Sequence, residues 1–231
     1  MPGQPDPPTL VAQSETAITI AWTAPSSDGG DPIIAYEVRW NGGSGSTFTA
    51  LTTHSNLSSL QYTKATLLNA GTTYEFKVVA TNDVGSGVES GSVAIRAAQA
   101  PIAPAAPTKA SAAKTSIQIT WQAPTDDGSS EITGYAVYWD NNSGVIDAST
   151  AIATTDAQTL TYSQSGLSEG LYYKFAVLAT NDIGSSPISG SVSVIAATAP
   201  GNPQTPSLLS QSKTQIGITW NDPVDLGGTP L

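Results

Sequence analysis

The chain has 231 residues, 8 Lys and Arg against 18 Asp and Glu, a formal charge of −10 and no cysteine. That excess of negative charge would repel a nucleic acid duplex or an anionic membrane surface over most of the chain, so neither is expected as a partner. The missing cysteines exclude a disulfide framework, a cysteine zinc site and a thiol nucleophile. No run approaches the roughly 20 apolar residues of a membrane helix, so no membrane insertion is expected.

The opening, MPGQPDPP, lacks the basic start and apolar stretch of a signal peptide, which implies a removed signal or an internal piece of a longer chain. The first predicted strand holds Ile18, Ile20 and Trp22 in alternation with Thr19 and Ala21, the period-2 pattern of a strand with one buried face. Ile34, Tyr36, Val38 and Trp40 make the next, Tyr74, Phe76, Val78 and Ala80 another, and Val93 with Ile95 a last. Gly, Pro, Asn and Asp clusters punctuate them: APSSDGGDP, NGGSGS, LNAGTT and NDVGSG.

Then the phrase begins again. Trp22, Trp121 and Trp220 lie 121 − 22 = 99 and 220 − 121 = 99 residues apart. The same step carries Pro25 to Pro124 to Pro223, Tyr36 to Tyr135, Trp40 to Trp139, Tyr74 to Tyr173 and Asn82 to Asn181. Roughly a third of positions are identical between the two copies, as in a module-sized repeat. Residues 45–66 and 144–165 match poorly, which suggests compensating shifts. Short strands at this spacing predict a β-sandwich, and 99 residues suffice for an independent core.

The repeat resembles a fibronectin type III domain. The resemblance rests on Trp22-Thr-Ala-Pro25, on Tyr36-Glu-Val38-Arg-Trp40, and on Leu68, Gly71 and Tyr74 with their counterparts Leu167, Gly170 and Tyr173. It also rests on Val78-Val-Ala80-Thr-Asn82-Asp-Val-Gly85. It implies tandem seven-stranded, Ig-like β-sandwiches joined by Pro-rich linkers. The divisions are a linker at 1–8, repeat 1 at 9–100, a linker at 101–107, repeat 2 at 108–199, and a linker with two strands of a third repeat at 200–231. In such a corner Tyr74 and Tyr173 pack their rings while their hydroxyls bond backbone, and Gly71 and Gly170 suit a positive φ.

Candidates for chemistry are few. His54 stands alone, without the partners of a hydrolytic triad or a histidine metal site, and reads as a surface residue. No catalytic residue and no cofactor are expected. Acidic residues gather in two loops that the family places at one pole. Asp126, Asp127 and Asp182 are the calcium candidates there, against the plainer reading of polar turn residues. Trp40 and Trp139 could form a sugar-stacking platform, but their shared face with Tyr36 and Val38 favours the edge of the core. Asn56-Leu57-Ser58 and Asn141-Asn142-Ser143 fit the N-glycosylation pattern, making Asn56 and Asn141 glycan candidates.

Linker prolines recur at fixed offsets: Pro101, Pro104 and Pro107, then Pro200, Pro203 and Pro206, with Pro2, Pro5 and Pro8 before them. They favour extended, semi-rigid connections. In residues 200–231, Ile216, Ile218 and Trp220 need a cover that two strands cannot supply. Neighbouring repeats of the same array, or self-association with strand donation, would provide it.

The expectation is a non-enzymatic extracellular or cell-surface module, a stiff tandem-repeat spacer or filament element that could carry glycans. The alternatives are an accessory array of a secreted carbohydrate-active enzyme and a receptor or adhesin ectodomain binding protein through its loops. No Arg-Gly-Asp tripeptide supports an integrin-type role.

Overall fold

The computed structural model describes residues 1–228, all strand, turn and loop. Repeat 1 runs through β1 (Thr9–Gln13), β2 (Ile18–Ala21), β3 (Ala35–Trp40), β4 (Thr49–His54), β5 (Gln61–Lys64), β6 (Thr73–Asn82), β7 (Gly85–Ser86) and β8 (Val93–Arg96). Its two sheets are β1-β2-β5 and β4-β3-β6-β7, with β8 also paired to β6, and every pairing is antiparallel.

Repeat 2 follows with β9 (Thr108–Ala113), β10 (Ser116–Thr120), β11 (Ile132–Trp139), β12 (Ala153–Asp156), β13 (Thr161–Ser165), β14 (Tyr172–Asn181) and β15 (Val192–Ile195). The sheets are β9-β10-β13 and β12-β11-β14-β15. Repeat 2 has the expected seven strands. The eighth segment of repeat 1, β7, is two residues long, and a single bridge between Thr180 and Ser185 stands in its place in repeat 2.

The alternating residues do what their period requires, except Ile34, which lies before β3 and is 46% exposed while Ile33 packs against the core instead. Ile18, Ile20, Trp22, Tyr36, Val38, Tyr74, Phe76, Val78 and Ala80 are buried together, as are Ile117, Ile119, Trp121, Tyr135, Val137, Tyr173, Phe175, Val177 and Ala179. Each side chain points between the two sheets because its neighbours in sequence point out. The first strand of each repeat, β1 or β9, was not evident from alternation. Leu10 and Val11 are exposed in the first, and β9 reads TKASAA.

A last hairpin pairs β16 (Ser207–Gln211) with β17 (Ile216–Thr219). Ile216, Ile218 and Trp220 are 70%, 53% and 61% exposed, whereas Ile117, Ile119 and Trp121, 99 residues earlier, are at most 2% exposed. Leu231, which the 99-residue step aligns with Ile132, lies outside the described residues.

Two compact units divide the chain. The first comprises Met1–Ala100 with Asp126–Glu131 and Asp182–Gly184; the second comprises Pro101–Thr125, Ile132–Asn181 and the residues from Ser185 onward. The acidic loop 126–131 and the segment 182–184 therefore cluster with the first unit, although the sequence repeat counts them in the second copy.

Candidate functional site

The corner tyrosines occupy the expected place. The backbone N–H of Asn69 donates to the Tyr74 hydroxyl at 2.7 Å, and Ser168 N–H donates to Tyr173 at 2.9 Å. Gly71 and Gly170 adopt φ of 78° and 79°, a left-handed turn that suits glycine. Trp40 stacks on Tyr74 at 5.3 Å with the Lys64 ammonium 4.5 Å from its ring, and Trp139 stacks on Tyr173 at 5.9 Å. Both tryptophans are half-buried, at the edge of the core.

His54 is not a free surface residue. Its ring meets Trp22 edge-on at 5.5 Å and hydrogen-bonds the Ser59 carbonyl, closing the turn after β4. In repeat 2 a threonine closes that turn: Thr155 donates to the Thr159 carbonyl at 2.9 Å.

The acidic loops are built by hydrogen bonds to backbone. In the first unit, Asp126 and Asp127 are exposed and accept from Gly128 N–H at 2.8 Å and Ser129 N–H at 2.9 Å. Asp31 accepts from Asp83 N–H, and the Asn82 amide donates to the carbonyls of Asp28 and Asp31. Asp182 is exposed in the neighbouring segment. Among the described residues, no three His, Asp or Glu side chains gather in an arrangement that could hold a metal. A carboxylate that already accepts its own turn's N–H is doing what aspartate does in tight turns.

The two sequons differ. Asn56 is exposed in the turn between β4 and β5, and its carbonyl oxygen accepts from the Ser58 hydroxyl at 2.6 Å. Asn141 is exposed too, but in a left-handed turn with φ of 46°, followed by Asn142 at 63°. That turn is organised by buried Asp140, which accepts from the N–H groups of Asn142, Gly144 and Lys174. Asn41 does the same in repeat 1, accepting from Gly43 and Glu75 N–H, both at 3.0 Å.

Sequence reasoning missed two features. The first is the outer face of each larger sheet. In repeat 1 it carries an ion network: Arg39 pairs with Glu37 and, at 3.6 Å, with Glu89, while Lys77 reaches Glu89 at 3.0 Å and lies over the Phe48 ring. Ninety-nine residues on, the same positions are Ala136, Tyr138, Ala176 and Ile188. There an open groove of about 370 Å³ is lined by Val145, Ile146, Ala176 and Ile188, with Lys174 at hand. Comparing the outward residues of the two copies would have found it.

The second is a set of loop-to-linker bonds. Gly3 N–H donates to Ser27 O at 2.9 Å, and Gly201 N–H to Asp225 O at 2.8 Å. Gln99 N–H donates to Gly128 O at 2.9 Å, and Thr198 N–H to Gly227 O at 2.8 Å. A Cβ at Gly128 would meet the Gln99 carbonyl oxygen at 2.2 Å, and one at Gly227 would meet that of Thr198 at 2.2 Å. Within the second unit Asp225 also pairs with Lys114, which contacts Glu169 at 3.1 Å. The Lys114 hydrogen bond, then that of Gly227 N–H, hold the Asp225 carboxyl below the usual carboxylate range. Hydrogen bonds to Asp225 and Glu169 push Lys114 up.

Paired antiparallel sheets, a tyrosine corner and proline-bearing linkers define a tandem β-sandwich module protein. The fibronectin type III domain matches residues 3–96 and 103–195. The chain belongs to the fibronectin type III family. It is 29% identical over 97% of its length to mouse fibronectin type III domain containing protein 3C1, covering 16% of that protein. It is 32% identical over 94% of its length to exoglucanase B of Cellulomonas fimi, covering 19% of it, and 27% identical over 95% to zebrafish (Danio rerio) receptor-type tyrosine-protein phosphatase F, covering 11%. The chain thus spans under a fifth of each of these relatives. The FN1–FN3 domains of chicken CNTN1 superpose with a TM-score of 0.51 at 20% identity, covering 83% of this chain and 66% of that one, which speaks for the fold.

Proposed function

We propose that this chain works outside the cell as a non-catalytic tandem-repeat spacer, with linkers held in a fixed relation to their neighbouring loops. The observation that carries the reading is the recurrence of the loop-to-linker hydrogen bonds at multiples of 99 residues, from Gly3–Ser27 to Gly201–Asp225 and from Gln99–Gly128 to Thr198–Gly227. A linker pinned by backbone bonds and by proline has few conformations to lose, so it transmits position rather than flexing. In this reading strands of the same or a neighbouring array cover Ile216, Ile218 and Trp220, and Asn56 and Asn141 present N-linked glycans. Intact mass of protein secreted from eukaryotic cells, before and after deglycosylation, tests the glycans.

Small-angle scattering tests the spacer. A stiff spacer gives one well-defined maximum dimension, and glycine at Pro101, Pro104 and Pro107 broadens the distance distribution. A distribution already as broad in the unaltered chain would overturn the reading. The similarity to exoglucanase B along 94% of the chain supports a second context, the accessory array of a secreted carbohydrate-active enzyme. A catalytic domain in the parent chain would decide for it.

A further inference from the structure

The loop at residues 225–228 rests on a small seat within the second unit. Lys114, in the turn between β9 and β10, and Glu169, in the turn between β13 and β14, form its charged side. Gly170 forms its floor: a Cβ there would meet the Gly228 carbonyl oxygen at 2.5 Å. The seated loop reads Asp225-Leu226-Gly227-Gly228. Asp225 supplies the carboxylate to Lys114, and a Cβ at Gly228 would meet the Glu169 side chain at 2.7 Å.

The first unit contains the corresponding positions with different chemistry. Glu15 stands where Lys114 does, Ala70 where Glu169 does, and the loop 126–129 reads Asp-Asp-Gly-Ser. Glu15 would repel a carboxylate, and it accepts a hydrogen bond from the Ser129 hydroxyl at 2.6 Å instead. Space follows charge: a Cβ on Gly71 would be 3.7 Å from the Ser129 carbonyl oxygen, looser than the 2.5 Å at Gly170. The first seat has room for a side chain at the fourth loop position, and the second fits glycine.

We infer that the surface formed by Lys114, Glu169 and Gly170 is a recognition seat for a fibronectin-type loop with aspartate first and glycine fourth. The residue at position 15 or 114 sets which loop each seat accepts. Both loops begin with aspartate, so they are told apart at the fourth position: the Lys114–Glu169 seat engages Asp225 and crowds any Cβ at Gly228, whereas Glu15 accepts from the hydroxyl of Ser129. The idea does not rest on the spacer role, because it concerns which loop is held and not how long the molecule is.

Amide hydrogen exchange on the whole chain tests it. Thr198, Gly201 and Gly227 N–H groups report on the seated loop, and the β10 and β14 amides serve as the internal reference. Lys114→Glu should speed exchange at the three reporters roughly two- to fivefold, the range expected for an exposed ion pair, with the reference amides unchanged. Asp225→Asn keeps an oxygen for Gly227 N–H while removing the charge, and should give a smaller acceleration. In the Asp225→Asn background, Lys114→Glu should have less effect than in the unaltered chain, since coupled residues do not add. Unchanged reporter exchange in Lys114→Glu, or fully additive effects in the double variant, would overturn the inference.

Discussion

Repeat 1 and repeat 2 share an interior and differ on their outer faces. Tyr36, Val38, Tyr74 and Phe76 have buried counterparts in Tyr135, Val137, Tyr173 and Phe175. Yet the strands that carry them present Glu37, Arg39 and Lys77 outward in one copy and Ala136, Tyr138 and Ala176 in the other. Burial constrains one side of a strand by volume and polarity, while the other side is free to diverge as long as it stays soluble. The charged face satisfies itself through ion pairs, and the apolar face borders a groove that Val145, Ile146 and Ala148 also line.

If the interiors are equivalent, equal damage to each should cost the same. Phe76→Ala and Phe175→Ala should each destabilise their repeat by about 3–5 kcal/mol, seen as matching shifts in denaturant unfolding followed at the tryptophans. A marked inequality would mean that one core relaxes around the cavity and the other does not. Next in size, Tyr74→Phe and Tyr173→Phe strip the acceptor from Asn69 or Ser168 N–H and should cost about 1–3 kcal/mol each. The outer faces should separate the repeats. Glu89→Ile in repeat 1 should change stability by less than about 1 kcal/mol and remove the salt dependence contributed by its outer face, a contribution that the apolar outer face of repeat 2 lacks from the start.

The smallest expected difference is in acid. Asn56 of repeat 1 and Asp156 of repeat 2 occupy the same turn, each accepting from the N–H two residues on. Hydrogen bonds from Thr159 lower the Asp156 carboxyl, and those from Ser149 lower Asp147. A depressed folded-state value means stability that is present above the ordinary carboxylate range and lost as pH falls through the folded value. Between about pH 5 and pH 2, around the carboxylate range, these two groups should therefore lower the melting temperature of repeat 2 without an equivalent in the Asn56 turn. The opposite order of loss would show that other carboxylates dominate.

Much of the fold was legible because buried alternation and corner residues are local signals. The Trp, Tyr and Gly of each corner carry their own spacing, so their places could be read directly. Strands β1 and β9 escaped notice because an exposed edge strand such as TLVAQ has little alternation. The poorly matching middle concealed real shifts. The partner of Tyr36 is His54 and that of Tyr135 is Thr155, an offset of 155 − 54 = 101. The carbonyls of Leu60 and Leu160 both accept from the core tryptophan's backbone N–H, an offset of 160 − 60 = 100, and Leu68 with Leu167 restores 167 − 68 = 99. Sequence placed Asp126 and Asp127 in a turn-rich acidic loop. It did not show that each accepts from its own turn's backbone, which depends on torsions that composition does not fix.

The same unequal middle has a consequence for how the chain reaches its native state. Tandem copies of similar sequence run the risk of trading strands while they are still unfolded. Strand β4 has six residues and a bulge against β3, while β12 has four residues in regular register with β11. A swapped β12 would leave part of the six-residue β3 unpaired, and a swapped β4 would bring its bulge to β11, whose pairing with β12 is regular. Exchanging these two strands would therefore cost pairing in the native register of each sandwich, a mismatch that disfavours the trade.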